Sequence, residues 1–177
     1  VALGLLTVHL AGLLVFAYTC FGVGDGTLAY HIGAGLIAVM LVVFAHTMSY
    51  FYLVAMTSMM RKALAGDSGP PVLVDDPRGP ELLARSRRLK ASAMPWAMGG
   101  MVLPMAAFIL GGGAHTRAFP AVIHTAAGYL VFAFVALAML MVGLALLRQN
   151  RIVEAFQSAG GTQGTAGAPS SGSGVGP

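Results

Sequence analysis

The stretch LAYHIGAGLIAVMLVVFAHTMSYFYLVAMTSMM, residues 28–60, runs for 33 residues without one Asp, Glu, Lys or Arg. A hydrocarbon core roughly 30 Å thick needs about 20 apolar residues of helix at about 1.5 Å per residue. The run exceeds that length, so it reads as a membrane-spanning helix that tilts or projects beyond the bilayer. Arg61 and Lys62 are expected to end it. Three more apolar runs flank it: Val1 to Cys20, Ala91 to Leu110 with Pro95 and Pro104 inside, and Phe119 to Leu147. Both prolines are tolerable where neighbouring helices satisfy the freed carbonyls. The fold class expected is all-α: an integral membrane up-down-up-down four-helix bundle, with spans at about 1–20, 28–60, 91–110 and 119–147.

With 57% hydrophobic and only 9% charged residues, the chain suits a lipid bilayer rather than water. The net charge of +4 is not spread over one face. Seven of the ten cations lie between Arg61 and Lys90, two follow the last span (Arg148, Arg151), and only Arg117 lies elsewhere. This is the signature of topology and not of nucleic acid: the seven-cation segment belongs inside, which puts both termini in the cytoplasm and Asp25 and Arg117 outside. The membrane implied is the bacterial inner one. Residues 1–20 lack a basic n-region and a small-x-small cleavage site, so they read as a span, not a cleaved signal peptide.

Between the spans, Gly22 to Thr27 and Gly111 to Ala118 read as turns, and Ala63 to Gly79, rich in Gly, Pro and Asp, as an irregular loop. Pro80 and Glu81 open a basic helix reaching Lys90. Residues 158–177 lack any charge and form an expected flexible, low-complexity tail after a domain of residues 1–157. The single Cys20 excludes an internal disulfide and any multi-cysteine centre within the chain.

No acidic residue falls within a span, which leaves His9, His31, His46, His115 and His124 to carry site chemistry. His31 is followed one turn later by Ala34 and Gly35, His124 by Ala127 and Gly128, and His9 by Gly12. Residues three and four apart share a helix face, so each of these rings has small neighbours where a flat ligand needs clearance. Close packing of helices uses the same small residues. Counted from the helix starts, His31 and His124 both lie roughly 5–8 Å below the outer surface. They are therefore expected to ligate one iron. By the same count His9 lies roughly 17 Å deep and His46 roughly 27 Å, a mismatch that argues against their pairing. Tyr50, one turn beyond His46, is also expected to fill the space beside it.

The arrangement resembles the four-helix b-type cytochromes of respiratory and photosynthetic chains, across the four spans and on His31, His46 and His124 with their glycines. The resemblance implies haem b clamped between histidines of two helices. Those proteins carry two histidines on each ligand helix, whereas here only the second span has two. Arg117, with His115 beside it, is placed to meet haem carboxylates or to serve as ordinary loop polarity. Met94, Met98, Met101 and Met105 share a face of the third span, a spacing that fits adaptable packing and, less often, Cu(I). The expected function is thus a membrane electron-transfer subunit, more a redox or structural part than an independent catalyst. Its cofactor-binding residues are His31, His124, Gly35, Gly128, Arg117, His46 and His9, with His31 and His124 on the metal. Its partners are other membrane or redox subunits and a quinone. The rival readings are a structural subunit of a larger complex and a (bacterio)chlorophyll-binding subunit.

Overall fold

The computed structural model describes residues 2–21, 28–67 and 78–166, with side chains described for all of these except 28 and 160–166. They form four helices: α1 (Ala2–Phe21), α2 (Leu28–Ala65), α3 (Arg78–His115) and α4 (Ala121–Ala166). Each is long and apolar enough to cross a membrane. Apolar side chains also cover the outside: Ile109, Val122 and Leu130 are at least 70% exposed. A helix apolar all round, with its outward face bare, suits lipid and not water.

The helices outrun the apolar segments. Arg61 and Lys62 do not end α2, because cations stop an apolar run and not a hydrogen-bond ladder. The helix continues to Ala65, and Gly66 closes it in the left-handed conformation (φ 78°) with Asp67 N–H donating to Lys62 O at 3.1 Å. Gly111 to Gly113 are helical and not a turn, so α3 reaches His115. It is closed by Ala118 N–H donating to Gly113 O, with Arg117 at φ 60° in the place glycine takes at 66. α4 passes Arg148 and runs on to Ala166, taking in the first nine residues of the expected tail; residues 167–177 lie outside the described residues.

Among the described residues α1 touches α2 and α4 but not α3. Rising residue numbers in one helix meet falling numbers in its neighbour. Leu6 reaches Gly143 and Phe21 stacks on Tyr129 between α1 and α4. Phe108 lies at Gly35 and Ser86 at Thr57 between α2 and α3. The end holding Phe21, His115 and His124 is called upper below.

Three apolar clusters stack along the bundle. Phe16, Ala38, Val42, Val135 and Met139 form the upper one. Below it lie Ala2, Leu53, Ala97, Val142 and Leu146. Beyond the start of α1, Met60, Leu83, Phe156 and Ala159 join α2, α3 and α4. The lower half is also tied by polar contacts. The Thr57 and Ser86 hydroxyls are 2.7 Å apart, and Ser86 Oγ donates to Gln149 Oε1 at 3.1 Å. Tyr52 OH donates to Asn150 Oδ1. Between lipid-bathed helices such hydrogen bonds and close backbone approach supply cohesion that hydrophobic burial does not.

Candidate haem-ligating histidine pairs

His31 on α2 and His124 on α4 face each other across the upper end, with ring centroids 6.3 Å apart and planes at 83°. They border a cavity of about 550 Å³ that also touches His115, Gly35, Gly111, Gly112 and Gly128. Its volume lies within the range of small-molecule and cofactor sites, about 300–1,000 Å³. His124 Nδ1 is buried and has no hydrogen-bond partner. The ring is seated on α3: a Cβ at Gly111 would lie 2.9 Å from His124 Cε1. Only glycine admits that approach. Gly128 has open space beside it, and Gly35 has room, with Phe108 at 3.7 Å from a notional Cβ. Both glycines line the cavity. Arg117 is exposed and does not line the cavity; His115, also exposed, does.

His9 and His46 also meet. Their ring centroids are 5.0 Å apart at 63°, and the residues are 3% and 0% exposed. The depth mismatch expected from counting down each helix does not exist. Gly12 lies against Val42, so the two helices do not start level. α2 begins about 8 Å above the end of α1, by about five residues at 1.5 Å each, and that offset brings His46 up to His9. Gly12 serves this helix contact, with Val42 Cγ2 3.3 Å from a notional Cβ, and gives no ligand clearance. Tyr50 packs with the cluster around Leu53.

Both inner rings are held alike. His9 Nδ1 lies 2.8 Å from Leu5 O, and His46 Nδ1 2.9 Å from Val42 O. A carbonyl only accepts, so each Nδ1 carries the proton and each Nε2 a free lone pair. Both Nε2 atoms are buried without a hydrogen-bond partner. On α3, a Cβ at Gly100 would collide with the His46 imidazole at Nε2. Gly99 and Gly100 thus accept the rings of Phe134 and His46. Sequence reasoning missed both roles: the only sign of Gly100 was a pair of glycines inside a span, and Gly111 opens a run of three glycines that reads as a turn.

Two imidazoles on opposite sides of one metal, with bonds of about 2.0 Å and about 1.1 Å from each nitrogen to its ring centre, put the centroids about 6 Å apart. The upper pair matches that separation and the inner pair falls about 1 Å short. The methionine face offers no comparable convergence. Met94, Met98 and Met105 are exposed, and Met101 Sδ accepts a hydrogen bond from Thr47 at 3.0 Å. Among the described residues no group of three or more His, Cys, Asp or Glu is close enough to hold a metal ion. No family model, curated protein or solved structure matches the chain.

Proposed function

We propose that the chain is a membrane electron-transfer subunit that binds haem b in the upper cavity, with His31 and His124 as axial ligands. The observation that carries this reading is the 6.3 Å separation of two imidazoles across a cavity of about 550 Å³. Haem iron held by two imidazoles supplies reversible one-electron transfer. The protein's own part is to hold two rings at that spacing from different helices and to keep the space between them clear with Gly35, Gly111 and Gly128. His115, exposed at the cavity, and Arg117, exposed two residues further on and not lining it, are assigned to the haem carboxylates, as charge-assisted donors.

The chain on this reading is an up-down-up-down bundle in the bacterial inner membrane. The seven cations between Arg61 and Lys90 lie in the cytoplasm with both termini, and the upper cavity lies near the opposite face. A quinone dissolved in the same bilayer and other redox subunits are the partners with which we couple it.

A reduced-minus-oxidised absorption spectrum of the purified chain tests this directly. It shows a b-type signal, and His31→Ala and His124→Ala each abolish it. Magnesium-porphyrin bands would assign the histidines to a pigment. A colourless protein from haem-replete cells would make the chain a structural subunit.

A further inference from the structure

The methionine face of α3 lies outside the upper cavity and has a basic end. Met105, Met101, Met98, Met94, Lys90 and Arg87 recur at spacings of three and four, so one stripe of α3 is apolar above and cationic below. A matching stripe descends α2 through Phe44, Thr47, Phe51, Val54 and Ser58 to Arg61. Thr47 Oγ1 donates to Met101 Sδ at 3.0 Å, which sets the two stripes side by side. Their upper part borders a groove of about 500 Å³, walled by Met40 and Phe44 of α2 and Met105 and Ile109 of α3. All four walls are at least half exposed, so the groove faces outward.

The lower ends of the stripes bring cations to nearly one level. Thr57 and Ser86 touch, and from that contact Arg61 is one turn, about 6 Å, further down α2, while Arg87 is the next residue up α3. Both arginines are exposed, and among the described residues neither makes an ion pair. Glu81 is held instead by Arg85 at 2.6 Å, and neither stripe carries an Asp or Glu.

We infer that this face binds an anionic phospholipid of the leaflet at the lower end, its phosphate between Arg61 and Arg87 and one acyl chain lying up the stripes into the groove. The length fits. Thr47, at the floor of the groove, lies ten residues above Thr57, about 15 Å, which is half of a hydrocarbon core roughly 30 Å thick. A chain anchored at the arginines therefore reaches the groove with its far end. The lining selects a flexible chain over a partner helix. Helices in lipid associate through small residues that let backbones meet, whereas Met40, Phe44, Phe51, Met94, Met98 and Met105 hold a neighbour off. Unbranched thioethers adapt to an irregular chain. Charge selects the head: two guanidinium forks match one phosphate, and a zwitterionic head would add its own ammonium beside them. The site is independent of what the upper cavity holds.

The test is native mass spectrometry of the full chain, released from micelles holding equal amounts of dioleoylphosphatidylglycerol and dioleoylphosphatidylcholine. A basic side chain beside an anionic lipid surface gives about a fivefold gain, so the two arginines imply retention of one phosphatidylglycerol per chain with about a 25-fold preference. Arg61→Gln and Arg87→Gln should each cut that preference about fivefold, and Arg87→Lys should cut it less. Arg151→Gln, exposed on α4, controls for net charge and should change nothing. Phosphatidylglycerol with a photoactivatable diazirine at the end of its acyl chain should crosslink to Phe44, Thr47 or Met105 in preference to α4. Equal retention of the two lipids, an equal loss in Arg151→Gln, or crosslinks spread evenly over the exposed side of α4 would overturn the inference. So would full displacement of the lipid by inorganic phosphate, which would leave the groove no part in binding. A lipid-free dimer as the dominant species would give this face to a second copy of the chain and overturn it as well. None of these outcomes touches the haem spectrum, so the two readings fail separately.

Discussion

Replacing Gly111 by alanine separates the structural role of one missing Cβ from helix propensity. Gly111 and Gly33 are both helical glycines, but a Cβ at Gly33 meets nothing within 4 Å, whereas one at Gly111 lies 2.9 Å from His124 Cε1 and 3.3 Å from Nε2. Gly33→Ala should therefore gain the ordinary advantage of alanine in a helix, up to about 1 kcal/mol. Gly111→Ala gains the same term and then drives a carbon about 0.6–1 Å inside the usual 3.5–4.0 Å contact. Overpacking of that kind costs about 1–3 kcal/mol. The difference between the two variants should be about 1–3 kcal/mol against Gly111→Ala, read from sodium dodecyl sulfate unfolding in mixed micelles. Because a ligand must sit within about 0.5 Å of its productive position, Gly111→Ala should also lower the haem content of the upper site while Gly33→Ala leaves it unchanged. Equal stability and equal haem content in the two variants would refute the seating of His124 on Gly111.

Ser86→Ala leaves Gln149, which is fully buried and whose Nε2 already lacks a partner, without its hydrogen bond from Ser86, and should cost about 1–3 kcal/mol. The double variant with Gln149→Leu should recover most of that loss in the same unfolding assay. Phe156→Ala, at a residue 5% exposed in the cluster with Met60 and Leu83, should cost about 3 kcal/mol. Deleting Gly160 to Pro177, which begins after the buried Ala159, should leave insertion, stability and haem content unchanged. For orientation, a thiol probe should label Ala118→Cys from outside intact cells and not Asp67→Cys, both positions being exposed. Reversed labelling would place the upper cavity on the cytoplasmic face. Gly113 is a poor probe site, because a Cβ there would meet the Phe119 ring.

Four helices long enough to cross a membrane were legible in the sequence because length without charge is a property of each segment alone. The meeting of His31 and His124 was also legible. Both lie within a few residues of helix ends that open at the same end of the bundle, so little error accumulates in counting. The other features depended on relations between helices. That His9 reaches His46 depends on the axial offset of α1 against α2, which the contact of Gly12 with Val42 sets and which neither helix encodes by itself. The glycines at 111 to 113 look like a turn in isolation. They are helical in the fold, and the missing side chains at 111 and 113 admit the rings of His124 and Phe119. The cluster of Thr57, Ser86 and Gln149 was invisible for the same reason: three ordinary polar residues on three helices become a network only when rotation and height agree. Apolar pattern determines which segments are helices, but relative height and rotation are set by the close approach of backbones at small residues, and these decide which side chains share a site.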